Sequence, residues 1–429
     1  MDRRKTTAWA VALFVLALIA RLGAGWLMGF DEPEEGSDES WYYDIIASLA
    51  RGDGYSAVGQ QSADGVPRPT ARYMPVPLAI MALGVRLFGG GPLTCRLVAA
   101  TISSLSAPLL FLFACHFTRS LPALLAGAAC ALYPIWVFHS VGILTEPFFI
   151  PAMLLALLLT VRELDSPAPR NPLAAGLSWG LAILTRVHAL PMLALIVPYV
   201  IYRRKYRLAL GLAAGVAVCL IPWFVRNLTV IGHPIVLSTE GGETFLGSNN
   251  PYVVADGRHY GMWVAPTTIP EYRDRLRPIQ DDYRRDRAQY AIGMRYLAER
   301  PEVIPRLVLS KWARWLTPVT HTGGMTRVVI LGTYGLMLVL IAVGAARGLY
   351  RGSAGLHLVL LCTAAQMIVT AVYWGNLVRG RLPLEMLWIP WAVMAIFPAR
   401  SVAPGEVAPP VPTTNAGHPS PGEAGTAST

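Results

Sequence analysis

The stretch Leu173–Arg226, LAAGLSWGLAILTRVHALPMLALIVPYVIYRRKYRLALGLAAGVAVCLIPWFVR, decides the fold class. Three apolar runs, 173–185, 187–201 and 208–224, follow one another. Only Arg186 and His188 mark the first break, whereas the second is the basic cluster Tyr202–Arg207. Runs of this kind read as helices in lipid, and basic residues gather on the cytoplasmic side of such helices. The Arg186 break admits two readings, one long helix or two joined by a tight turn.

Outward from this stretch, comparable runs occur at 8–29, 96–117, 122–141, 147–161, 326–346, 356–374 and 383–398. The expected fold is an all-α polytopic membrane protein of about ten helices. Composition agrees: 54% of the 429 residues are apolar, 14% are charged and the mean hydropathy is +0.45, so the apolar surplus must face lipid. The net charge of +10 sits in short clusters between apolar runs, which fits anionic membrane surfaces and not nucleic acid. Five cysteines, Cys95, Cys115, Cys130, Cys219 and Cys362, lie singly in or beside apolar runs, so neither a disulfide framework nor a zinc site is indicated. The first run follows Arg3-Arg4-Lys5 and is longer than a signal-peptide core. An acidic segment follows it, so it reads as an uncleaved span.

One further run, Pro75–Gly90, contains Arg86 and begins with Pro75 and Pro77. If it lies on the membrane surface, Arg3-Arg4-Lys5, Arg119, Arg162 with Arg170, Tyr202–Arg207, and Arg347 with Arg351 all share the cytoplasmic side; if it crosses, they do not. The surface reading puts the N-terminus inside and places two long segments outside, about 30–95 and 225–325. In the first, Ser40–Arg51 reads as a helix with Tyr42, Ile45, Ile46 and Leu49 on its apolar face. The second contains a charged helical stretch over Pro278–Glu299 and an interfacial helix over Val303–Leu316, where Arg306, Lys311 and Arg314 interleave with Leu307, Val308, Trp312 and Trp315. Residues 1–398 read as one domain, and 399–429, rich in Pro, Gly, Ala, Ser and Thr from Ala403 onward, as a disordered tail.

Ionisable groups at membrane depth are costly, so those present face a cavity or a partner. Asp38 and Glu39 follow the first span, Glu146 opens the fourth, and Arg186 and His188 mark a break. Arg226 follows Trp223, while Arg379, Arg381 and Glu385 flank the start of the last span. Bland readings exist for several: Arg226 and Arg381 as arginines snorkelling to lipid phosphate, Asp38 as a helix cap, Glu146 in a structural ion pair, His188 as a packed histidine.

At these residues the sequence resembles the GT-C glycosyltransferases, in the branch of protein O-mannosyltransferases and lipid A aminoarabinose transferase. Asp38-Glu39-Ser40-Trp41-Tyr42 resembles the branch's Asp-Glu-x-x-Tyr first-loop motif. Arg72-Tyr73-Met74-Pro75-Val76-Pro77-Leu78 is similar to its basic and proline segment, Leu144-Thr145-Glu146-Pro147 to its second acidic motif, and Leu184-Thr185-Arg186 to its Leu-Thr-Arg/Lys turn. Pro222–Asn227, Ser238-Thr239-Glu240-Gly241-Gly242 and Gly247-Ser248-Asn249-Asn250-Pro251 resemble bacterial dolichyl-phosphate-mannose-protein-mannosyltransferase-like members. Arg379-Gly380-Arg381-Leu382-Pro383 is similar to their Arg-x-Arg-x-Pro. Met74 and Val76 depart from the usual Pro-Gly-Tyr context, and Glu146 stands where the aminoarabinose transferase has Asp.

The resemblance implies an inverting transfer of a hexose or pentose from a polyprenyl-phosphate donor to an acceptor hydroxyl at the outer face of the bacterial plasma membrane, without metal or other cofactor. It selects Asp38 as general base, with Glu39 and Glu146 in the catalytic group. Arg72, Arg186, Arg226, Arg379 and Arg381 are implied at the donor phosphate, and Tyr42, Asn249 and Asn250 in substrate binding. The acceptor is a glycolipid, a polysaccharide or a protein. A secondary transporter, or a flippase or ligase of polyprenyl diphosphates, is the competing reading; no internal repeat favours the transporter.

Overall fold

In the computed structural model, residues 2–29, 32–57, 66–168, 170–255, 261–318, 323–349, 352–373 and 378–397 are described. The expected disordered tail, 399–429, lies outside them. Helix α1 (Arg3–Met28) is capped by Asp2, which accepts from the Arg4 amide. Helix α2 (Asp38–Arg51) begins at Ser37, whose hydroxyl accepts from the Ser40 amide, and ends at Gly52 with φ 95°, a left-handed turn suited to glycine. Two short strands, β1 (Ser56–Ala57) and β2 (Arg68–Pro69), pair antiparallel in the loop that follows. The run with two prolines forms α3 (Pro75–Phe88), with Pro in its first turn, where the missing N–H costs nothing.

Helices α4 (Gly91–Ser104) and α5 (Ser106–Ala114) form one long apolar stretch. The next run is divided into α6 (Ser120–Leu132) and α7 (Pro134–His139), because the residue before Pro134 is pushed into extended backbone. Helix α8 (Glu146–Asp165) is followed by α9 (Pro172–Thr185) and α10 (Ala189–Tyr202), so the Arg186 break is a turn between two helices. Helix α11 (Tyr206–Arg226) runs on through a π-helical turn to Ile231. The second long segment folds as α12 (Gly241–Ser248), α13 (Pro251–Ala255), α14 (Pro270–Leu276), α15 (Asp282–Glu299) and α16 (Val303–Leu316). The charged stretch expected from Pro278 becomes helical only at Asp282, where Asp281 caps α15 by accepting from the Arg284 amide at 2.8 Å. Helices α17 (Gly324–Ile330), α18 (Leu336–Ala346), α19 (Ala354–Val372) and α20 (Leu382–Ile396) complete the bundle.

Among the described residues, six helical stretches are long and apolar enough to cross a membrane: Arg3–Met28, Gly91–Ala114, Glu146–Asp165, Tyr206–Ile231, Gly324–Ala346 and Ala354–Val372. Shorter apolar helices α6, α9, α10 and α20 supply the rest of the expected ten. The protein is a multi-pass membrane protein. Its α8 and α20 are buried on nearly every side. Helices α1, α11 and α18 instead leave Ile19, Leu210, Val218, Ile221 and Val339 exposed, as lipid-facing helices do.

The closest seam joins α9 to α11 through Gly176, Gly180, Gly211 and Gly215. A Cβ added at Gly176 would lie 2.1 Å from the Gly211 carbonyl oxygen, and one at Gly215 would lie 2.3 Å from the Leu177 nitrogen. Small residues four apart on each helix let the backbones touch, the usual means of helix association in lipid. Helices α9 and α10 have 14 residues each, about 21 Å, which is shorter than a bilayer core of about 30 Å. Arg186, in the turn between them, is partly buried.

Candidate functional site

Four segments distant in sequence meet at one end of the bundle: the starts of α2 and α8, the turn after α9, and the turn before α20. Glu146, fully buried, is their common acceptor. Arg379 Nε donates to its Oε1 at 2.5 Å, and Arg186 Nη1 donates to the same oxygen. Arg186 Nη1 also reaches Thr145 Oγ1 at 3.0 Å, and Arg379 Nη1 bridges to Asp38 Oδ2. The Arg186 and Arg379 side chains are 22% and 19% exposed, against 59% for Asp38, so the guanidiniums are held in the recess while the carboxylate projects from it. On neither guanidinium does Nη2 bond a described residue. Two cations on one carboxylate, each with an edge to spare, suit a bidentate anion.

Tyr42, one turn beyond Asp38, packs edge-on against Tyr73 with ring centroids 4.6 Å apart. Burial pushes its phenol above the ordinary range; the Arg379 charge opposes this, and Glu240, Asp38 and Glu146 add to it. It is a protonated donor amid the charged groups. His188 Nδ1 accepts from Arg186 Nε at 3.4 Å, as a neutral imidazole does. Asp38 and Arg379 line an open cleft of about 520 Å³ that also touches Glu39 and Arg96.

The remaining expected residues are placed differently. Glu39 accepts from Arg96 Nη2 at 2.7 Å and from its Nη1 at 3.4 Å. Arg72 donates to Glu243 Oε2 at 2.9 Å and lies over the rings of Trp41 and Tyr73, beside the junction. Arg226 is at the same end but in the wall behind it, donating to the carbonyls of Thr70 at 2.7 Å and Tyr55 at 2.8 Å and lying over Trp223. Arg381 is fully buried with Glu385, donates to the Trp315 and Thr317 carbonyls at 2.8 and 3.0 Å, and lies over Tyr334. Asn249 accepts from Lys311 Nζ at 2.9 Å and donates to the Phe245 and Val372 carbonyls. Asn250 Oδ1 accepts from the amides of Tyr252 and Val253, the geometry of a helix cap. Helix α16, expected to lie at an interface, thus turns Lys311 inward, where it ties α12 to the end of α19. Among the described residues no group of three His, Cys, Asp or Glu has the arrangement to hold a metal ion.

The family of dolichyl-phosphate-mannose-protein mannosyltransferases matches residues 68–226. No curated protein matches the chain in sequence. Among solved structures it is similar to the oligosaccharyltransferase AglB of Archaeoglobus fulgidus in complex with an inhibitory peptide and a dolichol-phosphate, with TM-score 0.56 and 14% identity, covering 92% of this chain and 51% of that one. The Archaeoglobus fulgidus oligosaccharyltransferase tethered to an acceptor peptide gives TM-score 0.55 and 14% identity, with 91% and 50% covered. The chain carries the GT-C fold. It spans about half the length of those archaeal structures. ArnT of Cupriavidus metallidurans bound to undecaprenyl phosphate aligns at TM-score 0.43 and 17% identity, covering 91% of this chain and 78% of that one.

Within this GT-C frame, Glu240 and Arg96 join the site without having been singled out. Glu240 belongs to a quoted motif, yet nothing local distinguishes it from other loop acids. Its side chain bonds no described residue, and burial pushes its carboxyl up to about 7; Arg72 opposes the shift, Glu243 and Asp38 reinforce it, and Arg186 also opposes it. A folded-state value above the unfolded 4.5 gives stability that is complete below pH about 4.5 and lost as pH rises through about 7. Thermal melts of the purified protein should therefore show a decline between pH 5 and 7.5 that is shallower in Glu240→Gln. An identical slope in the variant would remove Glu240 from the titration.

Proposed function

We propose that the protein is a membrane glycosyltransferase that moves a hexose or pentose from a polyprenyl-phosphate donor to an acceptor hydroxyl at the outer face of a bacterial plasma membrane. The observation that carries this reading is the pair of guanidiniums gathered on Glu146, each with an uncommitted edge, beside the projecting carboxylate of Asp38. The acceptor O–H gives its proton to Asp38 as the acceptor oxygen bonds to the anomeric carbon. The sugar–phosphate bond breaks on the opposite face, its electron pair leaving with the polyprenyl phosphate, and the configuration inverts. Charge grows on that phosphate in the transition state, where Arg186 and Arg379 stabilise it. Arg226 and Arg381 act at a distance from the phosphate, holding the first loop and α20 in place.

Purified protein given a polyprenyl-phosphate-[14C]sugar and a cell-envelope acceptor fraction should release polyprenyl monophosphate. Release of diphosphate, or solute transport without transfer, would overturn the proposal. Arg186→Ala removes a charge-assisted contact of about 1.5–3 kcal/mol, so transfer efficiency at limiting donor should fall about 10- to 150-fold. Donor kinetics unchanged in that variant would take Arg186 out of the phosphate site.

A further inference from the structure

We infer that a second cavity, beside Arg72, binds a saccharide: the penultimate sugar of an acceptor glycan whose terminal hydroxyl is presented to Asp38. The role in transfer rests on the reading above, while the binding can be measured without it. The cavity, of about 380 Å³, lies between α2, the loop through Arg72 and Tyr73, the turn after α11 and the start of α15. That is within the range of small-ligand sites.

Its chemistry narrows the occupant. The three arginines on its wall are matched by three aspartates, which disfavours a free anion or a cation and leaves a neutral polar ligand. Trp41, half-buried, supplies aromatic surface for the apolar C–H side of a sugar ring, while Tyr73 is buried under Arg72. A sugar hydroxyl both donates and accepts, so it needs carboxylates as well as cationic donors around it. Both have capacity to spare: Asp44 is exposed and makes no hydrogen bond or ion pair with a described residue, and the buried Arg72 Nε has no hydrogen-bond partner among the described residues. Gln280 adds a side-chain carbonyl, its amide alone being engaged, with the Arg277 carbonyl at 3.3 Å.

Placement narrows it further. Asp38, Trp41 and Asp44 recur at every third position along α2, a row that winds about 60° round the helix at each step. The axial rise from Asp38 to Asp44 is about 9 Å, the reach of two linked sugar rings. A glycan lying along α2 can therefore keep its terminal hydroxyl at Asp38 with the next ring in the cavity. A polypeptide acceptor would leave the matched polar wall unused.

The test is saturation-transfer NMR of the protein in nanodiscs with mannobiose, N-acetylchitobiose and maltose as probes, and a serine- and threonine-containing hexapeptide as the contrast. Saturation should reach the ring C–H protons of at least one disaccharide and fall fivefold or more in Trp41→Ala and in Asp44→Asn. Asp44 is exposed, so that variant carries the test if Trp41→Ala fails to fold. No transfer to any disaccharide, equal transfer in both variants, or saturation of the peptide that the same variants abolish would overturn the inference. If disaccharide binding stands while no polyprenyl phosphate is released, the saccharide site survives and the glycosyl-transfer reading falls.

Discussion

Asp38→Asn should lower sugar transfer by about 10²- to 10⁴-fold, the usual cost of losing a general base, in a protein that folds and inserts as before. The carboxylate is more than half exposed, so exchanging it for an amide leaves no unpaired charge in the bundle, and Arg379 stays held by Glu146. Thermal melting and gel filtration should match the parent while polyprenyl-phosphate release collapses. Glu146→Gln separates the roles. That carboxylate is fully buried between two guanidiniums, and neutralising it strips Arg186 of its acidic partner and leaves Arg379 with Asp38 alone, so stability should fall by about 3–5 kcal/mol together with activity. Near-normal turnover in Asp38→Asn would discard the base assignment.

The bundle was legible because lipid imposes a simple code: apolar runs of fixed length, prolines at their breaks, basic clusters on one side. The Arg186 break, which the apolar runs leave open, is a turn between two helices, and the helix over Val303–Leu316 has the bounds read from its pattern. The site was legible in part. Asp38, Glu146, Arg186 and Arg379 do converge, although no spacing in the sequence links segments so far apart; the cost of ionisable groups at membrane depth marked them, and the resemblance chose Asp38 among the acids. Arg381 and the two asparagines carried local signals that compete with a substrate role. Arg381 stands four residues before Glu385 on one helical face, a stabilising spacing, and Asn250 precedes a proline that opens a helix. Lys311 and Arg21 could not be placed from pattern, because both satisfy their charge with polar partners that come from other helices and not with acids. Arg21, in mid-span, donates to Ser103 Oγ at 3.0 Å and to the Ala17 and Ala131 carbonyls, tying α1 to α4 and α6.

Gly215→Val should prevent the bundle from assembling, and the site with it. The added Cβ would sit 2.3 Å from the Leu177 nitrogen and 2.4 Å from the Gly176 carbonyl carbon. These are backbone atoms that cannot rotate aside, so α9 and α11 must part along their whole seam. Overpacking against yielding side chains costs about 1–3 kcal/mol, and a backbone clash in a small-residue seam costs more, since lipid supplies no hydrophobic force to press the helices together. Arg186 follows directly on α9, so displacing that helix also pulls one guanidinium off Glu146. Loss of the monodisperse peak in gel filtration is the expected result. Gly23→Val is the control: a Cβ there meets nothing within 4 Å, and the substitution should stay within about 0.5 kcal/mol of the parent. If Gly215→Val instead elutes and transfers sugar like the parent, the seam is not what holds α9, and the position of Arg186 must be fixed by its contacts with Thr145 and Glu146 alone.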